Sequence, residues 1–127
     1  MKFEKQAIAN QEAKNLTGPY SPALLAGPFV YVSGQRPADP ETGLIPDGIE
    51  AQTAQCIRNL EQQLIAAGAS LKDVVRTRVY LTDLQNFSAM NEVYRQMFPS
   101  PYPTRTTVGV QLRGILVEIE CEALLPQ

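Results

Sequence analysis

Three clusters of proline constrain this chain more than any other feature of its sequence: Pro19, Pro22 and Pro28; Pro37, Pro40 and Pro46; and Pro99, Pro101 and Pro103. Proline fixes φ and removes a backbone donor, so each cluster predicts a loop and breaks the sequence into short periodic segments. The longest apolar stretch, residues 23–32, is interrupted by Gly27-Pro28 and falls far short of the ~20 residues a membrane span requires. With 127 residues, 44% hydrophobic and 19% charged, the chain reads as a single globular domain, residues 1–127.

The segments between the clusters show their period. Residues 23–26 and 29–35 predict two strands joined at Gly27-Pro28, with Phe29, Tyr31 and Ser33 alternating against Val30, Val32 and Gly34. A Pro/Asp/Gly-rich loop covers residues 36–48. Residues 49–67 are helical in period, with Ile49, Thr53, Cys56, Ile57, Leu60 and Leu64 on one stripe and Gly68 as the stop. Residues 74–82 alternate again, Val75, Thr77, Val79 and Leu81 opposing Arg76, Arg78 and Tyr80. A second helix over residues 86–98 carries Phe87, Met90, Val93, Tyr94 and Met97 as its apolar stripe. Strands at 105–111 and 116–124 follow, joined by a short turn, and a further strand is expected near residues 2–7. The expected fold class is α+β, a mixed sheet with two helices packed on one face. The other face must also be covered, which predicts a homo-oligomer.

Composition excludes several functions. The chain has no histidine, which removes Ser-His-Asp and Cys-His catalysis, imidazole metal sites and the usual neutral-pH base. Its two cysteines, Cys56 and Cys121, are too few for a zinc site or a disulfide framework and read as buried thiols. A net charge of −2 and a pI near 5.1 offer no electrostatic footprint for nucleic acid or anionic lipid. Residues 1–15 show no signal-peptide pattern, so the expected location is the cytoplasm.

The last two strands hold the most chemistry. Read as an antiparallel hairpin, they place Arg105, Thr107, Gly109 and Gln111 on one face, with Thr106, Val108 and Val110 on an apolar face. Glu118, Glu120 and Glu122 align on the partner strand, and cross-strand pairing would bring one or more of them to Arg105. Two readings stand: a solvated face with an ordinary ion pair, or an anion site in which the planar guanidinium fork takes a carboxylate. Tyr20 in the stiff turn Gly18-Pro19-Tyr20-Ser21-Pro22 is a packing residue or a displayed ligand group. Ser33 is a turn cap or a site member, and Gly34 permits close backbone approach. Asn91, among apolar neighbours, is a structural hydrogen-bonding amide or a site member.

Taken together, these residues resemble the Rid/YjgF family. The resemblance is carried by Gly18-Pro19-Tyr20-Ser21-Pro22, Tyr31-Val32-Ser33-Gly34-Gln35, Asp83-Leu84, Phe87, Asn91, Tyr94, Phe98, Pro103-Thr104-Arg105-Thr106-Thr107-Val108 and Val117-Glu118-Ile119-Glu120, and it covers about residues 3–125. It implies a chorismate-mutase-like fold assembled as a homotrimer with a barrel-like core and clefts between subunits. It also implies hydrolysis of 2-iminoacids, such as 2-iminobutanoate and 2-iminopropanoate, to 2-ketoacids and ammonia without cofactor or metal. Arg105 matches the arginine that clamps the substrate carboxylate. Tyr20, Ser33, Gly34 and Asn91 match cleft residues, and Glu118 matches the glutamate associated with the attacking water. Thr107 stands where many members carry cysteine, which excludes a thiol role there. The final turn is about two residues shorter than usual, leaving Glu118 and Glu120 as alternatives for the water position. The rival functions are an aminomuconate-type deaminase, a ribonuclease or translation inhibitor, and a non-catalytic module binding small carboxylates.

Overall fold

The computed structural model describes residues 3–8 and 18–127. The elements run β1 (Lys5–Ala7), β2 (Ala23–Ala26), β3 (Phe29–Gln35), α1 (Ile49–Ala66), β4 (Val74–Leu81), α2 (Phe87–Met97), β5 (Thr104–Gly109) and β6 (Val117–Leu124), with 3-10 turns at Leu71–Asp73 and Leu84–Asn86. The six strands form one mixed sheet in the order β1-β2-β3-β6-β4-β5. Among the described residues, no helix is long and apolar enough to cross a membrane.

The β2–β3 hairpin forms as its punctuation predicts: Gly27 takes a left-handed φ of 58°, which a residue with a Cβ adopts at a cost. The expected stripe of α1 is buried in full, from Ile49 through Thr53, Cys56, Ile57 and Leu60 to Leu64. It packs on β3 and β6 and against α2. Beneath the helices lie Val30 and Val32 of β3, Val79 and Leu81 of β4, and Val117, Ile119, Cys121 and Ala123 of β6, all buried. Burial of an aliphatic side chain contributes roughly 1.5–3 kcal/mol, so this continuous layer supplies the main driving force. Buried Gln52 is tied on both sides. Its amide nitrogen donates to the Pro46 carbonyl at 3.0 Å, and its oxygen accepts from the Leu116 N–H at 2.7 Å. Asn59 donates to the Arg36 and Ala38 carbonyls, each at 2.9 Å, pinning the proline-rich loop to α1. Both cysteines are free and buried; burial pushes the Cys121 thiol up to about 12 and the Cys56 thiol higher still.

Five sequence expectations are corrected. The last two strands do not form a hairpin, because β4 lies between them, antiparallel to β6 and parallel to β5. Parallel pairing needs a long crossover, and α2 provides it. Residues 110–116 then pass over the end of β4, where the Val110 N–H donates to Leu81 O at 2.9 Å and the Thr82 N–H to Leu116 O at 3.1 Å. Thr106 and Val108 are consequently exposed on the sheet's helix-free face instead of covering a core. In β4 the register shifts between Val74 and Arg76, so Val74 is buried and Val75 stands exposed; the extra residue of a bulge reverses the alternation. A second shift, between Val32 and Gln35, turns Gly34 away from the Val30/Val32 face. Finally, Phe87 lies outside the buried stripe of α2, 39% exposed at its first turn.

Candidate functional site

The predicted residues gather into two groups on opposite faces of the sheet. The first group stands on the helix side. Arg105 pairs in register with Thr77, and cross-strand partners share a face, so its side chain rises toward α2. The guanidinium carbon sits 4.8 Å from the centroid of the Tyr94 ring and 5.6 Å from that of Phe87. Tyr94 is itself locked: its hydroxyl and the Thr77 hydroxyl are 2.7 Å apart, and its ring lies 4.4 Å from that of Phe98. Burial pushes the Tyr94 pKa up, against smaller lowering effects from the Thr77 hydrogen bond and the Arg105 charge.

Among the described residues Arg105 has no carboxylate partner and no hydrogen-bond acceptor. Its donors therefore remain available to a ligand, while aromatic faces hold the cation. A cleft of about 350 Å³ opens beside it, lined by Asn91, Tyr94, Arg95, Tyr102, Pro103 and Arg105. Asn91 Oδ1 and Thr107 Oγ1 are buried without partners among the described residues, which is costly for a polar atom unless something else satisfies it. Arg95 is engaged by Glu92 on its own helix.

The second group stands on the helix-free face. Glu118 pairs in register with Tyr80, opposite in orientation to buried Val79 and Leu81. Its carboxylate lies over Gly34 so closely that a Cβ there would meet Oε2 at 2.6 Å. This close approach is what requires glycine at the β3 bulge. Burial raises the pKa of Glu118, Arg36 opposes the rise, and Glu120 adds to it. No hydrogen-bond donor engages Glu118 among the described residues. Glu120, in contrast, accepts from the Tyr80 hydroxyl and from Arg78 at 3.3 Å. That bond pushes the Tyr80 phenol up to about 12, with burial next in effect. Arg78 also donates to Glu122 at 3.1 Å. The cation that relieves the row of glutamates is thus Arg78, and the expected pairing of glutamates with Arg105 does not occur within the chain.

The Gly18–Pro22 turn docks beside this group. The Ser33 hydroxyl donates to Ser21 O at 2.6 Å, and the Ser33 N–H donates to Pro22 O at 2.9 Å. Ser33 therefore ties the turn in place, and Tyr20 remains 48% exposed upon it. Periodicity marked Tyr94 as an apolar helix position; its buried hydroxyl, which needs a partner, was the signal of a further role. Arg36 carried no signal in its local sequence. Among the described residues, no group of three or more Cys, Asp and Glu side chains is placed to hold a metal ion.

The geometry can be set beside known proteins. A RutC family protein of Pyrococcus abyssi is 45% identical over 122 residues, covering 94% of this chain and 96% of that one. Reactive Intermediate Deaminase A, chloroplastic, of Arabidopsis thaliana is 38% identical over 125 residues, covering 96% of this chain and 67% of that protein. Among solved structures, Escherichia coli TdcF with bound serine superposes with a TM-score of 0.87 at 36% identity, covering 95% of this chain and 99% of the other. RidA from a Psychrobacter species gives 0.82 at 42% identity, covering 86% and 90%. The family described as Endoribonuclease L-PSP matches residues 10–125. The chain belongs to this family, the Rid/YjgF family, as its motifs and its α+β sheet both indicate.

Proposed function

We propose that this protein is a cofactor-independent 2-iminobutanoate/2-iminopropanoate deaminase that works as a homotrimer. The observation that carries the reading is Arg105, a partly buried guanidinium whose donors are free among the described residues, held on two aromatic faces beside an open cleft. Such a fork suits the carboxylate of a 2-iminoacid. Relatives named reactive intermediate deaminases support deamination in general. The E. coli neighbour was solved with serine, a small amino acid that carries the same carboxylate and α-nitrogen.

Because the two groups lie on opposite sheet faces, each cleft takes Arg105, Asn91 and Thr107 from one subunit and Tyr20, Ser33, Gly34 and Glu118 from its neighbour. Support for assembly comes from the helix-free face. Phe29, Tyr31, Val108 and Leu124 are each 37–44% exposed there, apolar side chains that a neighbouring subunit would cover.

The chemistry asks little beyond orientation. Arg105 fixes the carboxylate, which presents the protonated imine carbon to a water held by Glu118. As the C–O bond forms, Glu118 takes the water's proton. It then returns that proton to the nitrogen; the C–N bond breaks with its electron pair leaving on ammonia, and Glu118 takes the hydroxyl proton as the C=O bond forms, so that the 2-ketoacid is left and the proton passes to the departing ammonia as ammonium. Glu118 is preferred to Glu120 because no donor among the described residues engages its carboxylate, whereas Glu120 is committed to Tyr80 and Arg78.

The test is 2-ketobutyrate release from enzymatically generated 2-iminobutyrate. Wild type should accelerate release several-fold over the protein-free background, and Arg105→Ala should not. Equal rates for wild type and background, with both proteins folded and oligomeric, would overturn the reading in favour of a binding module.

A further inference from the structure

The clamp in this reading is an arginine that no carboxylate among the described residues holds in place. An unrestrained arginine side chain has many rotamers, and ordering it on binding costs affinity. Here the ordering is supplied in advance. Thr77 is fully buried at the centre of β4, directly across from Arg105 in register. Its hydroxyl meets that of Tyr94 at 2.7 Å, fixing the ring from beneath, while Phe98 packs against the ring at 4.4 Å. The guanidinium rests on the ring at 4.8 Å, and Phe87 flanks it at 5.6 Å.

We propose that Tyr94, locked by Thr77, is the positioning residue for Arg105: its ring holds the guanidinium in the orientation that receives a carboxylate while leaving every N–H donor free. An aspartate or glutamate partner would hold the arginine as firmly, but it would occupy the donors the ligand needs. A stacked ring restrains the cation without competing for them. The Thr77 hydroxyl serves one function, to keep the ring from turning.

The inference rests on Arg105 as the carboxylate clamp, and the experiment separates the two claims. The measurement is 2-ketobutyrate affinity by calorimetry, on the assembled protein, with oligomer size checked for each variant. Arg105→Ala tests the clamp itself; unchanged affinity would overturn that reading and this one with it. Given a working clamp, Tyr94→Leu should weaken binding about tenfold, and Tyr94→Phe and Thr77→Val about threefold each. Thr77→Ser, which retains the hydroxyl, should bind as wild type does. The decisive comparison is Tyr94→Leu in the Arg105→Ala background, where it should cause no further loss. Equal losses in both backgrounds, or wild-type affinity for Tyr94→Leu and Thr77→Val alone, would show a merely structural tyrosine and overturn the proposal.

Discussion

Arg105 and Glu118 stand on opposite faces of one sheet, Arg105 beside Thr77 under α2 and Glu118 beside Tyr80 on the helix-free side. Side-chain rotation cannot carry either through the backbone, so a reaction that needs both must draw them from two chains.

Subunit mixing checks this arrangement. Arg105→Ala and Glu118→Gln homo-oligomers should each be inactive. In the proposed homotrimer, assemblies re-formed from an equal mixture should recover about a quarter of wild-type activity, because a random neighbour pair supplies one intact Arg105 and one intact Glu118 in the required order with that frequency. A site contained within one chain would recover nothing.

Gly34→Ala should separate activity from stability. The new Cβ would lie 2.6 Å from Glu118 Oε2, 3.0 Å from its Cδ and 3.2 Å from its Cγ. The side chain can swing away, so the folding cost should stay within about 1–3 kcal/mol. In the proposed mechanism the displaced carboxylate would no longer hold the attacking water, and kcat/KM should fall about tenfold or more. Urea midpoints and initial rates on the same preparation check both.

Glu118 also sets a pH dependence. Burial, aided by Glu120 and opposed by Arg36, raises its pKa above the ordinary 4.5. The proton-accepting form is the carboxylate, so activity should rise with pH through a range above that of a free glutamate. The stability effect has a definite sign. A carboxyl that binds its proton more tightly when folded favours the fold below its unfolded pKa, and this contribution is lost as pH rises through the folded value. Glu118→Gln should therefore be more stable than wild type at pH 7, with the difference shrinking toward pH 4. Denaturation midpoints across that range check it; a wild type more stable at neutral pH would contradict the burial argument.

Thr53 offers a test in the core. It is fully buried on α1, and its Oγ1 has no hydrogen-bond partner among the described residues. Thr53→Val keeps the shape and removes the unpaired hydroxyl, so it should stabilise the protein by about 1 kcal/mol. A matching rise in the urea midpoint at constant m-value is the expected result.

Local pattern alone was enough for much of this protein. The stripe from Ile49 to Leu64 marked α1, and Gly27-Pro28 marked the β2–β3 turn. The arginine, asparagine, glutamates and Gly18–Pro22 turn carried a family resemblance through their identities and spacing. Alternation along a strand shows which residues share a face, but not which strand lies alongside. That choice is made where α2 packs on the sheet and lays β5 parallel to β4, inserting β4 between Arg105 and the glutamates. A single extra residue likewise reverses a face, as at Val75 and at Ser33-Gly34, and it costs nothing visible in composition or period. Strand order and register are decided by burial between residues distant in sequence, so only the tertiary structure separates Arg105 from Glu118, couples Arg78 to the glutamates, and sets Tyr94 beneath the guanidinium.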